Sequence, residues 1–417
     1  MVSVASRTNW YRPIRDLRSA DIPSAAAPST VLHIITGLQT GGAETVLLRL
    51  ISRLDTSRFR CHVVSLMDEG TLGPALKAVG VDPDALDATS GLRAVRGLWR
   101  LRRILRRYRP SVVQGWMYHG NLAATVGVWL ARLRCPVLWN VRQSLAGVNA
   151  DKPLTALLIR LGAFWSRRPA RIIYNSKASA AQHEQLGYAC DRAMVIPNGF
   201  DLGQFRPLPG ARVYLRQLLG LTEEVQIIGQ VARFHPMKGH AVHLDAIGEL
   251  PEFGRQVHCV LIGRGMIASN NALTTRIRRL GLDGRIHLLG ERGDLENLVP
   301  GFDIAVSSST RNEGVPNAIG EAMACEVPCV VTDVGDAAIL VGDTGIVVQP
   351  GDVQALKGAL ERLLSLPAEA RRSLGHRARQ RIAERFSLEH MVEEYQNLYG
   401  EVLRAGSSHG DSGRNPS

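Results

Sequence analysis

The 417-residue sequence is short of cysteine pairs: Cys61, Cys135, Cys190, Cys259, Cys325 and Cys329 include no C-x-x-C and no companion histidine at a ligand spacing. That pattern argues against a zinc site and a disulfide framework, and a reducing cytoplasm is the expected compartment. Long apolar runs are missing as well. The start has no signal-type hydrophobic stretch, and NLAATVGVWLARL falls well short of the roughly 20 residues a membrane span needs. Gly37 to Gly42 has the spacing of a phosphate-binding Walker loop, but Ala43 and Glu44 stand where Lys and Ser/Thr are required. GRG at 263 to 265 is too short a match for a dinucleotide fingerprint. Acidic residues are absent from 88 to 150, a stretch that holds eleven arginines.

The net charge of +12 is accordingly lopsided, +15 over residues 1 to 200 and −3 over 201 to 417. In GLRAVRGLWRLRRILRRYRP, Leu92, Val95, Leu98, Leu101, Leu105 and Tyr108 recur at helical spacing, which predicts an amphipathic helix with an arginine-rich outer face. That face is either a solvated cover over a sheet or a surface for anionic lipid headgroups. No nucleic acid is expected, because no recognition motif or aromatic platform is interleaved with the charge.

From Val31 on, short β-rich runs alternate with helical patterns, predicting an α/β chain of βαβ units and parallel sheets. Six strand candidates (31–36, 61–66, 111–116, 136–141, 171–176, 193–198) precede a Gly/Pro-interrupted stretch at 199–210, and six follow it (225–232, 258–263, 285–290, 303–308, 328–333, 344–349). The expected organisation is a disordered 1–28, a domain at 29–200, a second at 201–385, a returning helix at 386–404 and a disordered tail at 405–417. A chain this long exceeds what one core usually supports. Ligands of open parallel sheets bind at strand carboxyl ends, so two such domains are expected to face each other across a cleft.

Three loops carry chemistry. Gly41-Gly42, at a strand-to-helix turn, reads either as a tight turn or as bare backbone for an approaching anion. VARFHPMKGH places Arg233 and Lys238 on one loop, a planar fork and a mobile ammonium that suit a diphosphate, with two solvated cations as the alternative. TRNEGVPNAIGEAMA follows a strand, and Pro316 fits a first helical turn. The backbone N–H groups of Gly314, Val315 and Asn317 would then lie at the positive end of a helix dipole. Glu313 precedes that helix and Glu321 lies about one turn inside it, so both acceptor-only carboxylates can chelate vicinal hydroxyls.

EGVPNAIGE, the arginine–lysine loop, PNGFDLGQF and GGAE together resemble the retaining glycosyltransferases of family 4, over roughly residues 30 to 400. The resemblance implies a GT-B fold, two Rossmann-like domains with a nucleotide sugar between them, and no cofactor beyond that donor substrate. It implies that Glu321 binds the ribose hydroxyls and Glu313 those of the donor sugar. Arg233 and Lys238 would neutralise the leaving diphosphate, Gly42 would approach the phosphates, and His119 of GWMYHGNLAA would lie beside the reacting sugar. No metal is expected, since the D-x-D of metal-dependent GT-A enzymes is matched only by Asp82-Pro83-Asp84, which reads as loop. Two departures stand out: Glu326 where glycine is common, and WNVRQS in place of a His/Asp-containing loop.

The loop GDAAILVGDTGIVV and the stretch VVQGWMYH resemble bacterial surface-polysaccharide enzymes. This implies a saccharide or polyprenyl-diphosphate-linked acceptor, and a peripheral position on the inner face of the cytoplasmic membrane. Rival readings are a GT-B-fold sugar-nucleotide epimerase or phosphorylase, and, from another class, a basic nucleic-acid-binding or scaffold protein. A phosphorylase would need a pyridoxal lysine where only Lys238 and Lys357 exist.

Overall fold

The computed structural model describes residues 27–88, 91–145, 153–250, 256–311 and 313–408. The expected disorder of 1–28 and 405–417 falls almost entirely outside this set, except that 405–408 are helical. The chain divides into two compact units, one comprising residues up to Pro197 and those from Met391 on, the other Asn198–His390.

Unit 1 runs β1 (Ser29–Ile35), α1 (Gly42–Ile51), β2 (Phe59–Ser65), α2 (Gly73–Ala78), β3 (Asp84–Ala85), α3 (Gly91–Tyr108), β4 (Val112–Trp116), α4 (Met117–Ala131), β5 (Val137–Val141), α5 (Pro153–Trp165), β6 (Arg171–Tyr174), α6 (Lys177–Gln185) and β7 (Ala193–Val195). Its sheet is parallel throughout, in the order β3-β2-β1-β4-β5-β6-β7. Every residue of β4 and β5 is buried, as expected where helices cover both faces of a parallel sheet. In the D-x-D stretch Asp82 and Pro83 lie in a loop as expected, whereas Asp84 opens the short edge strand β3 and pairs with Val64.

Helix α3 keeps Leu101 and Leu105 of the expected apolar stripe buried and corrects its first two members. Its buried residues are Gly97, Leu101 and Leu105, whereas Leu92 and Val95 are 78% and 52% exposed. Close approach explains the change of face: a Cβ at Gly97 would lie 2.5 Å from the Ala88 Cβ, and one at Gly127 of α4 would lie 2.9 Å from Leu101. Gly127 thus admits Leu101 and Leu105 of α3, and Gly97 admits Ala88.

Unit 2 runs α7 (Ala211–Leu219), β8 (Gln226–Val231), α8 (His240–Gly248), β9 (Val257–Ile262), α9 (Asn271–Arg279), β10 (Ile286–Leu288), α10 (Leu295–Leu298), β11 (Ile304–Ser307), α11 (Asn317–Ala324), β12 (Cys329–Thr332), α12 (Ala337–Val341), β13 (Gly345–Val348), α13 (Val353–Leu364) and α14 (Ala368–Arg385). Its parallel sheet has the order β10-β9-β8-β11-β12-β13 with an apolar cluster on each face. The PNGFDLGQF stretch is built into this unit. A Cβ at Gly320 of α11 would meet the Phe200 ring at 2.1 Å, and Arg379 of α14 donates to the carbonyls of Leu202, at 3.2 Å, and Phe205, at 3.1 Å. Glu326 has φ 62, the left-handed conformation that glycine adopts without strain.

The last helix, α15 (Leu388–Ser408), belongs to unit 1 from Met391 on. Its Tyr399 hydroxyl donates to Gln114 Oε1 of β4 at 2.6 Å, and Tyr395 Oη accepts from Asn140 Nδ2 of β5 at 2.6 Å. All four side chains are fully buried, so each bond satisfies a polar group that would otherwise cost about 1 to 3 kcal/mol.

In both sheets the strand order reverses beside the first strand, between β1 and β4 and between β8 and β11. Chains leaving the carboxyl ends of such a pair diverge to opposite faces and leave a crevice between them.

Candidate functional site

The crevice of unit 2 collects the acidic and basic residues singled out above. Chain leaving β8 forms the Arg233–Lys238 loop, and chain leaving β11 forms the Glu313 turn and α11. Direct bonds hold the two together: Thr310 N donates to Met237 O at 2.8 Å, and Ser308 Oγ lies 3.0 Å from Lys238 O and 3.1 Å from Gly239 O. Gly239 is required here. Its φ is +65, and a Cβ would stand 1.8 Å from Ser308 O.

Beneath the loop lies a buried relay. His243 Nδ1 donates to Gln230 Oε1 at 2.6 Å, and Gln230 Nε2 donates to Lys238 O and to Ser308 Oγ, each at 3.0 Å. His243 is fully buried and burial pushes its pKa down to about 3, so a neutral ring makes this bond. His240 Nε2, donating to Arg233 O at 3.1 Å, fixes the other end of the loop.

The Lys238 ammonium bonds the Glu313 carboxylate, which also accepts from Ser309 Oγ at 2.7 Å. Both members of the pair are largely buried, with side-chain exposures of 26% and 11%. Arg233 of the same loop is exposed. Thus the loop presents one neutralised cation and one open to solvent.

Helix α11 begins at Asn317, so Pro316 sits at the N-cap rather than in the first turn. Among the described residues, nothing accepts from the backbone N–H groups of Gly314, Val315 or Asn317, as is usual for a helix start and as anion binding requires. The turn is clamped from behind by Asp336 N donating to Gly314 O at 2.8 Å, and by Gly335, whose φ of +64 brings it against Glu313 O. Asn198 Nδ2 donates to Asn317 Oδ1 at 2.7 Å. Glu321 lies in the second turn of α11, half-buried. Its charge reinforces the burial that pushes the Cys325 thiol up to about 12.

The sequence reading passed over Ser309, Gln230, His243, Asn198 and Gly335. The polar run SSST after a strand and the Asn of PNGFD were the available signals; Gln230 and His243 sit within apolar runs and gave none.

Unit 1 places Gly41-Gly42 and His119 at its own crevice, after β1 and β4, whose ends pair Ile35 with Trp116. Gly41 is extended, with φ −160, and Gly42 has no neighbour within 4 Å of a Cβ position. Neither glycine has a positive φ, and a Cβ at Gly41 would stand 2.4 Å from Glu44 Oε2. His119 occupies the first turn of α4 after Met117, a left-handed residue with φ 59. Burial lowers the pKa of His119, so the ring is neutral near pH 7.

A model described as Glycosyltransferase Family 4 matches residues 40–204, and one described as Glycosyl transferases group 1 matches residues 225–366. The chain is a glycosyltransferase with a family 4 and a group 1 domain. The enzyme is 26% identical over 321 residues to the putative glycosyltransferase EpsF of Bacillus subtilis, covering 73% of this chain and 79% of that one. It is 32% identical over 300 residues to the D-inositol 3-phosphate glycosyltransferase of Mycobacterium tuberculosis, covering 68% of this chain and 61% of that protein. Over another relative, the N-acetyl-alpha-D-glucosaminyl L-malate synthase of Bacillus anthracis, the enzyme spans 49% of the length. Its fold is that of Anabaena HepE, crystallised with UDP: TM-score 0.79 at 23% identity, covering 89% of this chain and all of that one. The names of these relatives lend no support to the epimerase or nucleic-acid-binding readings.

Proposed function

We propose that the enzyme is a retaining, metal-independent transferase. It would move a hexose-type sugar from a nucleotide-diphosphate donor to a saccharide or polyprenyl-diphosphate-linked acceptor in polysaccharide biosynthesis. The observation that carries this reading is the Lys238–Glu313 pair beside the N–H groups of Gly314, Val315 and Asn317. A diphosphate gains charge as the sugar–phosphate bond breaks, and a fixed cation, an exposed arginine and a helix start stabilise that charge without a metal. Lys238 exchanges Glu313 for a phosphate oxygen, which frees Glu313 to accept from sugar hydroxyls. Glu321 accepts from the ribose hydroxyls one turn further in.

In the retaining step the bond from the anomeric carbon to the diphosphate oxygen breaks while the acceptor oxygen bonds the same face. The acceptor's proton passes to the departing diphosphate. No enzyme nucleophile is needed. Unit 1 is assigned the acceptor side, with His119 neutral and able to hold a sugar hydroxyl. The arginines of α3 are assigned to an anionic membrane surface at the cytoplasmic face. No described helix is long and apolar enough to cross a membrane.

HepE was crystallised with UDP-glucose, so uridine donors head the panel to be tried. Donor hydrolysis with UDP-, GDP- and ADP-sugars, with and without a chelator, is the test, followed by nuclear magnetic resonance of the transferred anomer. Turnover of one donor class, unaffected by chelation and with retained configuration, is expected. An inverted anomer or a strict need for a divalent cation would sink the mechanism, and no turnover of any donor would sink the assignment.

A further inference from the structure

At the amino ends of the unit 1 strands, opposite the carboxyl ends that carry Gly42 and His119, lies an open pocket of about 740 Å³. Ser111 and Pro136, which immediately precede β4 and β5, mark its floor. Three arginines line it, Arg106 and Arg109 at the end of α3 and Arg134 just past α4, and Leu133 and Val402 contribute an apolar wall. We propose that this pocket binds a phosphate-bearing ligand, distinct from the donor.

Charge is the first argument. The carboxyl ends of α3 and α4 converge here, and each helix end supplies about half a negative charge. Three guanidinium groups outweigh them, and no carboxylate lines the pocket. Where this region needs a structural ion pair the chain provides one, since Glu401 of α15 pairs with Arg171 at 2.6 Å. Its neighbours Val402 and Leu403 face the pocket instead.

The arginines also differ in what holds them. Arg106 Nε donates to Ala131 O at 3.3 Å, which fixes it against the end of α4 as a cap would. Among the described residues, no side-chain partner is recorded for Arg109 or Arg134, and both are exposed. Arg109 has φ 43 at the position after a helix where glycine is usual. A long cationic side chain is thus kept where the backbone favours none, and Pro110 behind it fixes the exit of the chain. Planar guanidinium forks match phosphate oxygens with paired hydrogen bonds, and an apolar wall suits a ligand with a hydrocarbon part. Size agrees as well, since small-molecule pockets run from about 300 to 1,000 Å³.

A free phosphate compound and a lipid headgroup share this chemistry, and two arms separate them. Inorganic pyrophosphate is titrated calorimetrically into the full chain carrying Arg233→Ala and Lys238→Ala, which removes the donor-side cations. The same titration is made after adding Arg109→Gly and Arg134→Gln. Flotation with phosphatidylcholine vesicles, with and without phosphatidylglycerol, is run on the wild type, on Arg109→Gly/Arg134→Gln and on the charge-matched Arg93→Gln/Arg96→Gln. Glycine fits φ 43, so the pocket variant should keep its thermal midpoint.

At least tenfold weaker pyrophosphate binding in the pocket variant assigns a free phosphate ligand. At least tenfold weaker partition onto phosphatidylglycerol vesicles, beyond that of the charge-matched variant, assigns a headgroup. If pyrophosphate affinity is unchanged and both vesicle variants lose partition equally, the pocket is not a site and the proposal is overturned.

Discussion

The ammonium of Lys238 and the carboxylate of Glu313, 75 residues apart, are bonded directly, with Ser309 as the carboxylate's second partner. In the free enzyme the cation assigned to the diphosphate is therefore neutralised by the acceptor assigned to the sugar. Lys238→Ala and Arg233→Ala are each expected to lower kcat more than they raise KM, by about 100- to 1,000-fold, because their charge partner develops fully only as the diphosphate leaves. Steady-state kinetics on both variants checks this; a change in KM alone would mean the loop merely holds substrate.

The two glutamates separate by ligand. Glu321→Ala should weaken nucleoside diphosphate and intact donor alike by about 1.5 to 3 kcal/mol, the scale of a lost charged hydrogen bond. Glu313→Ala should leave nucleoside diphosphate affinity nearly intact while transfer falls sharply. Calorimetry beside transfer rates decides between them, and equal losses of affinity would reject separate roles.

Packing around the second glutamate's helix gives a stability test. Gly320→Ala places a methyl group into the Phe200 ring, and overpacking of this kind costs about 1 to 3 kcal/mol. Phe200→Leu in the same chain should restore part of that loss, so the two changes are non-additive. Urea unfolding of the single and double variants measures it; strict additivity would mean that the ring and the helix do not touch.

Buried histidines set an acid limit. Burial pushes His33 and His243 down to about 3 and His183 to about 4. Unfolded histidines titrate near 6.5, so the unfolded chain binds these protons and the folded chain does not. Stability is complete above pH 6.5 and is lost as pH falls toward the folded values, by about 2 kcal/mol per histidine at pH 5. His33 and His183 belong to unit 1, and His243 and the likewise lowered His240 to unit 2, so both units should weaken. Hydrogen exchange of β1 and β8 at pH 7 and 5 follows the two units; protection in either that does not fall would contradict the assignment.

The sheets were legible because buried parallel strands read as apolar runs, and all twelve sequence candidates correspond to strands. β3 escaped because two residues following Pro83 carry no period. Leu92 and Val95 misled for a related reason: a 3.6-residue pattern says which residues share a face, not whether anything covers it. Arg233, Lys238 and Glu313 were legible as loop residues of unusual chemistry. The bond between Lys238 and Glu313 was not, since the join runs through β8 and β11, neighbours in the sheet but 73 residues apart from the end of one to the start of the other. His243 and Gln230 stayed hidden because a buried, satisfied polar group looks in sequence like an interruption of an apolar run.

The tyrosines of α15 also fix an order of events during synthesis. Gln114 and Asn140 emerge from the ribosome long before Tyr399 and Tyr395, and until those arrive the unit 1 sheet holds buried amides without their partners. All of residues 198–390 must be translated in between, which takes on the order of 10 to 40 seconds. Unit 2, contiguous in the chain, can complete itself during that interval. The part made first is therefore finished last, and a message truncated before Met391 would yield a complete second unit attached to an incomplete first one.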